Sequence, residues 1–179
     1  MADMGRGVLY PHRQAPIVEL DRVPAGAELA RFVEFYWHVR WHTPEPYETK
    51  VLSHPNVHLV FEEPHPLVYG VDRDLFVRRL EGRGQVLGVK FRPGCFRPFI
   101  GRPASVLTDR RVPAASLFGP EVEDVNRAVL EAADTAKMAD LAEDFLGRIV
   151  PEPDPVAEEV AAMVGRITAD AGLFRVDQA

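Results

Sequence analysis

The apolar residues of this chain change their period part-way along it. Up to about residue 93 they alternate or fall in short runs; after Gly119 they recur every three to four residues. A two-residue period places neighbouring side chains on opposite faces of a strand, and a 3.6-residue period draws a stripe down a helix. The stretch RFVEFYWHVRW (31–41) is rich in aromatic and β-branched residues, which suit a pleated surface. VHLVF (57–61), PLVYGV (66–71), LFVRRL (75–80) and QVLGVKF (85–91) follow, punctuated by Pro55, Pro64, Pro66, Gly70, Gly82 and Gly84. Short strands at this spacing predict a small antiparallel sandwich or barrel, not alternating βαβ units, with GRGQVLG (82–88) as a hairpin turn between two strands.

The second half predicts helices. Val122, Val125, Val129 and Leu130 share one face, as do Met138, Leu141, Phe145, Leu146 and Ile149, with Thr135 as a candidate N-cap. The proline cluster VPEPDP (150–155) breaks the chain, and Val156, Val160, Met163, Val164 and Ile167 form the stripe of a third helix. The fold class expected is therefore α+β: a small antiparallel β-barrel followed by amphipathic helices.

Length and charge narrow the function. The 179 residues suffice for one domain with a sizeable core, or one plus a short appendage. A net charge of −6 argues against nucleic acid or an anionic membrane as partner of the whole chain. No apolar run approaches the roughly 18 residues of a membrane-spanning helix, and the first residues lack the apolar core of a secretory signal. The single cysteine, Cys95, excludes an internal disulfide, so the expected location is a reducing cytoplasm. Charge is unevenly placed. Residues 121–170 hold 13 Asp/Glu against 4 Lys/Arg, whereas residues 88–113 hold 6 Lys/Arg against 1 Asp. The basic stretch reads as a joint whose arginines face the acidic helices.

Catalytic motifs are wanting. There is no phosphate-binding glycine loop, no Gly-x-Ser-x-Gly elbow and no zinc-type Cys/His spacing. Cys95 would have its pKa lowered by Arg92, Arg97 and a nearby helix start, but no base can be assigned to it. A small buried hydrophobe is the plainer role. Five of six histidines fall between residues 38 and 65. His54, His58 and Glu62, at steps of four, are a candidate metal set on a continuous strand, although Pro55 interrupts it.

The long strand is more informative. Val33, Phe35, Trp37, Val39 and Trp41 form an all-apolar face, expected to be buried. Phe32, Glu34, Tyr36, His38 and Arg40 form the other, mixing aromatics with both charge signs. Such a mixture suits a barrel interior that holds a small ligand: apolar walls with a few placed polar groups. An exposed amphipathic face is the alternative. Tyr36, His38, Arg40, His58 and Lys90 are the candidate ligand-binding residues; no catalytic residue and no cofactor is expected.

The blocks FVEFYWHVRW, VLSHPNVHLVFE, GVKFRPGCFRPFIGRPASVLTDRRVP and LFGPEVEDV resemble the N-terminal sensor domain of AraC/XylS-type bacterial transcription regulators. The resemblance runs from about residue 29 to 149 and is strongest at GVKFRPG and PFIGRPASVLTDR. It implies a cupin-like sensor barrel with its closing loop (1–118) and a helical packing or dimerisation part (119–150). It further implies a linker and the start of a helix-turn-helix DNA-binding domain (151–179) whose continuation is missing. Cys95 stands where that group usually has a glycine, which leaves a redox or electrophile-sensing role open. The implied function is to sense a small-molecule effector and control the attached DNA-binding domain, without enzymatic activity or membrane contact. DNA would be met only through the missing domain, and a homodimer fits paired half-sites. The competing expectations are a cupin-like metal enzyme using His54, His58 and Glu62, or His38, and an interaction module with a filled barrel.

Overall fold

The computed structural model describes residues 17–170, a mixed α/β fold. Its strands are β1 (Val18–Pro24), β2 (Val33–Val51), β3 (His58–Phe61), β4 (Leu67–Tyr69), β5 (Phe76–Phe91) and β6 (Arg111–Pro113). Its α-helices are α1 (Arg97–Ile100), α2 (Ala115–Phe118), α3 (Glu121–Leu130), α4 (Thr135–Gly147) and α5 (Pro155–Ala169), with a 3-10 turn at Ala104–Leu107. Among the described residues no helix is long and apolar enough to cross a membrane.

The strands form one antiparallel sheet in the order β1-β2-β5-β3-β4-β6. This corrects the expected barrel: the edges β1 and β6 do not pair with each other, so the sheet is open. β6 is only three residues long and ends in Pro113, which has no N–H to offer a further strand.

The sheet is built on the ladder between β2 and β5. β2 runs ten residues beyond the expected end at residue 41, and β5 merges two expected strands into one. Residues 82–84 are therefore not a hairpin turn. The ladder passes from Thr43↔Gly82 to Tyr47↔Leu80, four residues of β2 against two of β5. Pro44 and Pro46, which cannot donate to a ladder, fall within this bulge and are exposed. Gly82 opposite has φ +59°, a left-handed conformation favouring glycine. A second irregularity lies at Glu34, between Val33↔Phe91 and Phe35↔Lys90.

Helices cover one face of the sheet. Tyr36, Leu59, Leu87, Val89 and Phe91 join Val122 and Val129 of α3 and Met138, Ala142, Phe145 and Leu146 of α4 in one core. Sheet and helices thus share a core across the boundary expected near residue 118. The linked aromatic rings of Phe32, Phe91, Phe96, Phe99, Phe118 and Phe145 extend it under the turn after β5. Asn126 Nδ2 donates to the Glu62 carbonyl at 3.0 Å and ties α3 to the end of β3. The N-cap of α4 is Asp134, which accepts from Lys137 N–H at 2.8 Å, in place of the expected Thr135.

α5 begins at the expected proline break, with Asp154 as N-cap and Pro155 in its first turn. Only Ala157 of this helix is buried, whereas Val156 is 63 % exposed, so its expected apolar stripe is largely uncovered. The joint after β5 anchors it: Cys95 Sγ donates to the Ala157 carbonyl at 3.7 Å, and Arg97 pairs with Asp154. Of the other basic residues there, Arg111 pairs with Asp72 at 2.6 Å, in the loop after β4 rather than on the acidic helices. Of the expected linker and start of a DNA-binding domain (151–179), residues 171–179 lie outside the described residues.

Candidate functional site

The helix-free face of the sheet carries a cavity of about 260 Å³. Val18, Leu20 and Arg22 of β1 and Tyr69 of β4 wall the same space, so the open sheet must curve around it. The extended β2/β5 arm contributes Thr49, Val51, Phe76, Arg78 and Leu80. Arg78 reaches back to the buried Glu62 at 2.7 Å and lies over the Trp41 ring at 5.6 Å, holding the arm against the cavity.

The face of β2 that lines the cavity is the reverse of the one expected. Phe35, Trp37, Val39 and Trp41 line it and are half-buried. Tyr36 and His38 project the other way and are 0 % and 2 % exposed. The helices supply what the mixed face needs in order to be buried. His38 Nδ1 meets Thr135 Oγ1 at 2.8 Å and its Nε2 meets Gln85 Oε1 at 3.1 Å. Gln85 donates in turn to the Leu130 carbonyl at 2.7 Å, and Thr135 donates to Asp21 at 3.0 Å. Burial lowers the His38 pKa most, opposed by the Gln85 hydrogen bond. The Tyr36 hydroxyl is buried without a hydrogen-bond partner, and its pKa is raised by burial first and by the Glu143 carboxylate second. Arg40 lies outside, paired with Glu19 at 2.7 Å. Of the five expected ligand-binding residues, only His58 and Lys90 line the cavity.

These two occupy one row. Phe35 of β2 is opposite Lys90 of β5, Lys90 is opposite His58 of β3, and His58 is opposite Tyr69 of β4. Lys90 Nζ pairs with Glu34 at 3.0 Å and stands 5.0 Å from the Phe35 ring centre, with Arg22 on that ring at 4.8 Å. His58 Nδ1 accepts from Trp37 Nε1 at 3.1 Å. Its pKa is pushed down to about 3, by burial first and then by Lys90, His54 and Arg111. The imidazole is therefore neutral. Trp37 Nε1 is only a donor, so Nδ1 must accept and the ring proton sits on Nε2.

The next rows are apolar. Trp37 lies opposite Gly88, Val39 opposite Val86, and Trp41 opposite Gly84. A Cβ on Gly88 would overlap the Trp37 indole, and one on Gly84 the Trp41 indole. The two glycines let the rings lie down on β5 and form the cavity floor. Sequence reasoning passed over this pairing, although its signal is visible: two tryptophans four residues apart in one strand, two glycines four residues apart in another.

The candidate metal set does not converge. His54 and His58 both line the cavity, but Glu62 is engaged by Arg78 and by Tyr69 Oη, which donates to it at 2.5 Å. Among the described residues no three His, Cys, Asp or Glu side chains stand close enough to share a metal ion. Cys95 is buried, and burial pushes its thiol up to about 11, the reverse of the expected lowering.

Fold and site together define a mixed α/β domain, with a curved open sheet, helices on one face and a small apolar cavity with a polar end on the other. Residues 21–113 match a family described as a domain of unknown function (DUF6597), and the chain belongs to that family. The matched region covers nearly all of the sheet and the joint, and stops where β6 ends. No curated protein and no solved structure matches the chain.

Proposed function

We propose that this chain is the sensor part of an AraC-type transcription regulator, binding a small molecule in the cavity and passing that event to an attached DNA-binding domain. The observation that carries the reading is the cavity itself. It is walled by tryptophan, phenylalanine, valine and leucine and carries a short row of polar groups at one end, the composition of a small-ligand site. The indole platforms are a costly arrangement for a purely structural face, since each leaves a half-buried ring and a glycine in mid-strand. The resemblance of residues 88–113 to the sensor-domain joint of that group supplies the regulatory half of the proposal.

The test uses the full reading frame. The codons after Ala179 should encode two helix-turn-helix units. A small molecule that quenches the fluorescence of Trp37 and Trp41 should change the full-length protein's affinity for DNA from its own promoter region. A stop codon directly after Ala179, or DNA affinity indifferent to every quenching ligand, would sink the regulatory reading.

A further inference from the structure

The cavity is amphipathic along its length, and that asymmetry says what it accepts. Its polar end is the row Phe35–Lys90–His58–Tyr69, and its body is the stack of rows holding Trp37, Val39, Val86 and Trp41. Adjacent same-face rows are two residues apart along a strand, roughly 6.7 Å. A molecule resting on Trp37 therefore brings one end against Lys90 and His58.

The polar end offers donors. His58 presents Nε2–H, because its other nitrogen is taken by Trp37. Lys90 keeps two of its three ammonium protons beyond the one directed at Glu34, and its side chain is 15 % exposed. Arg22 has no carboxylate partner among the described residues. The charged side chains lining the cavity are Arg22, Arg78 and Lys90 against Asp72; Arg78 is paired with Glu62, Lys90 with Glu34 and Asp72 with Arg111, so the excess positive charge is that of Arg22. This cationic lining lies within a chain of net charge −6. A cation entering would meet the Arg22 guanidinium, unpaired among the described residues, and the Lys90 ammonium, whose carboxylate neighbour, Glu34, is already engaged. A carboxylate would gain charge-assisted hydrogen bonds. At about 260 Å³ the cavity falls just below the usual range for drug-sized ligands, which begins at roughly 300 Å³.

We infer that the cavity selects a small planar monoanion, an aromatic carboxylate whose ring lies on Trp37 and whose acid group is bound by His58 Nε2–H, Lys90 and Arg22. The inference rests on the cavity being a ligand site, as proposed above, and adds the chemical class. Recognition combines ring stacking over a glycine-backed indole with a donor triad from three different strands.

The experiment compares three probes of one shape by tryptophan quenching: 2-naphthoate, its neutral amide 2-naphthamide, and the cation 2-naphthylmethylammonium. Both tryptophans of the chain line the cavity, so the signal comes from the site alone. The carboxylate should bind at least tenfold more tightly than the amide, and the ammonium most weakly. Arg22→Met, an exposed position whose loss leaves no buried charge, should weaken 2-naphthoate about fivefold and leave the amide unchanged. Lys90→Met should do the same more strongly, and Lys90→Arg should restore binding. Unfolding midpoints show that each variant is folded. Amide binding equal to or tighter than carboxylate binding overturns the inference while the cavity stands as a ligand site. If none of the three probes quenches either tryptophan, the ligand-site reading fails and the inference with it.

Discussion

At the residue scale, one alternation decides the site. Neighbours on β2 serve opposite faces: Trp37 meets His58 in the cavity, and His38 meets Thr135 under the helices. The sequence pattern made the two faces of β2 plain but not which one the helices cover. An all-apolar face invites burial, yet here it floors a cavity, because the partners that make His38 buriable come from residues 47 and 97 positions away. No local pattern carries that information. Two predictions belong at this scale. Replacing Gly88 by alanine forces the Trp37 indole off its seat; an overpacked site of this kind costs about 1–3 kcal/mol. Urea unfolding should show the loss and the Trp37 emission should shift, whereas alanine at half-buried Gly147, where an added Cβ meets open space, should do neither. The second concerns pH. His58 is neutral in the fold, with a pKa near 3 against 6.5 unfolded, so the unfolded chain takes up a proton first as pH falls. Its contribution is whole above pH 6.5 and is lost progressively between about 6.5 and 3. Between pH 7 and 5 the wild type should lose on the order of 1–2 kcal/mol more than His58→Gln in urea titrations. Equal losses would mean that His58 is charged in the fold.

At the scale of elements, the positions of strands and helices were largely legible, and their connections were not. The apolar stripes over 121–130 and 135–147 mark α3 and α4 closely, because each stripe is buried on the sheet. β1 went unseen: Val18 and Leu20 share its cavity face but Val23 falls on the other, and an edge strand half-open to solvent leaves little contrast between its faces. The continuity of β5 through Gly82 and Gly84 was also hidden. Glycine pairs usually mark turns, and only the opposed bulge at Pro44 and Pro46 and the indole over Gly84 reveal another use. α5 shows the limit of a periodic pattern. Its stripe predicts a helix, and a helix forms, but the stripe does not determine what covers it. Its attachment rests on Asp154, which accepts from Val156 N–H at 3.0 Å and pairs with Arg97. Asp154→Ala removes cap and ion pair together. It should cost about 1 kcal/mol locally, seen as faster amide exchange along α5 with protection in β2 and β5 unchanged. Equal loss of protection in helix and sheet would show that α5 is integral to the core.

At the scale of the molecule, a single sheet layer separates cavity from helices. The closed barrel expected from strand count fails at the edges, since counting strands does not say whether the first and last meet; a three-residue β6 ending in proline cannot extend the sheet. An open sheet still gives a short route from ligand to helices. Trp37 and His38 share a peptide bond, and His38 and Gln85 hold both ends of the α3–α4 connection, at Leu130 and Thr135. A ligand that pressed on Trp37 would therefore act on the strand segment from which that connection hangs. Coupling would require two arrangements of the connection that differ in ligand affinity, and the His38 network is where they would differ. Gln85 Oε1 only accepts, so the neutral imidazole carries its proton on Nε2 and Nδ1 is an acceptor; Thr135 Oγ1 has one proton to give, to His38 Nδ1 or to Asp21. Saturating 2-naphthoate should change amide exchange at residues 130–137, a stretch that does not line the cavity. His38→Leu should abolish that change while leaving tryptophan quenching intact. If exchange changes equally in His38→Leu, the signal crosses the sheet by another route; if it does not change in the wild type, cavity and helices are independent and the sheet acts as a barrier between them.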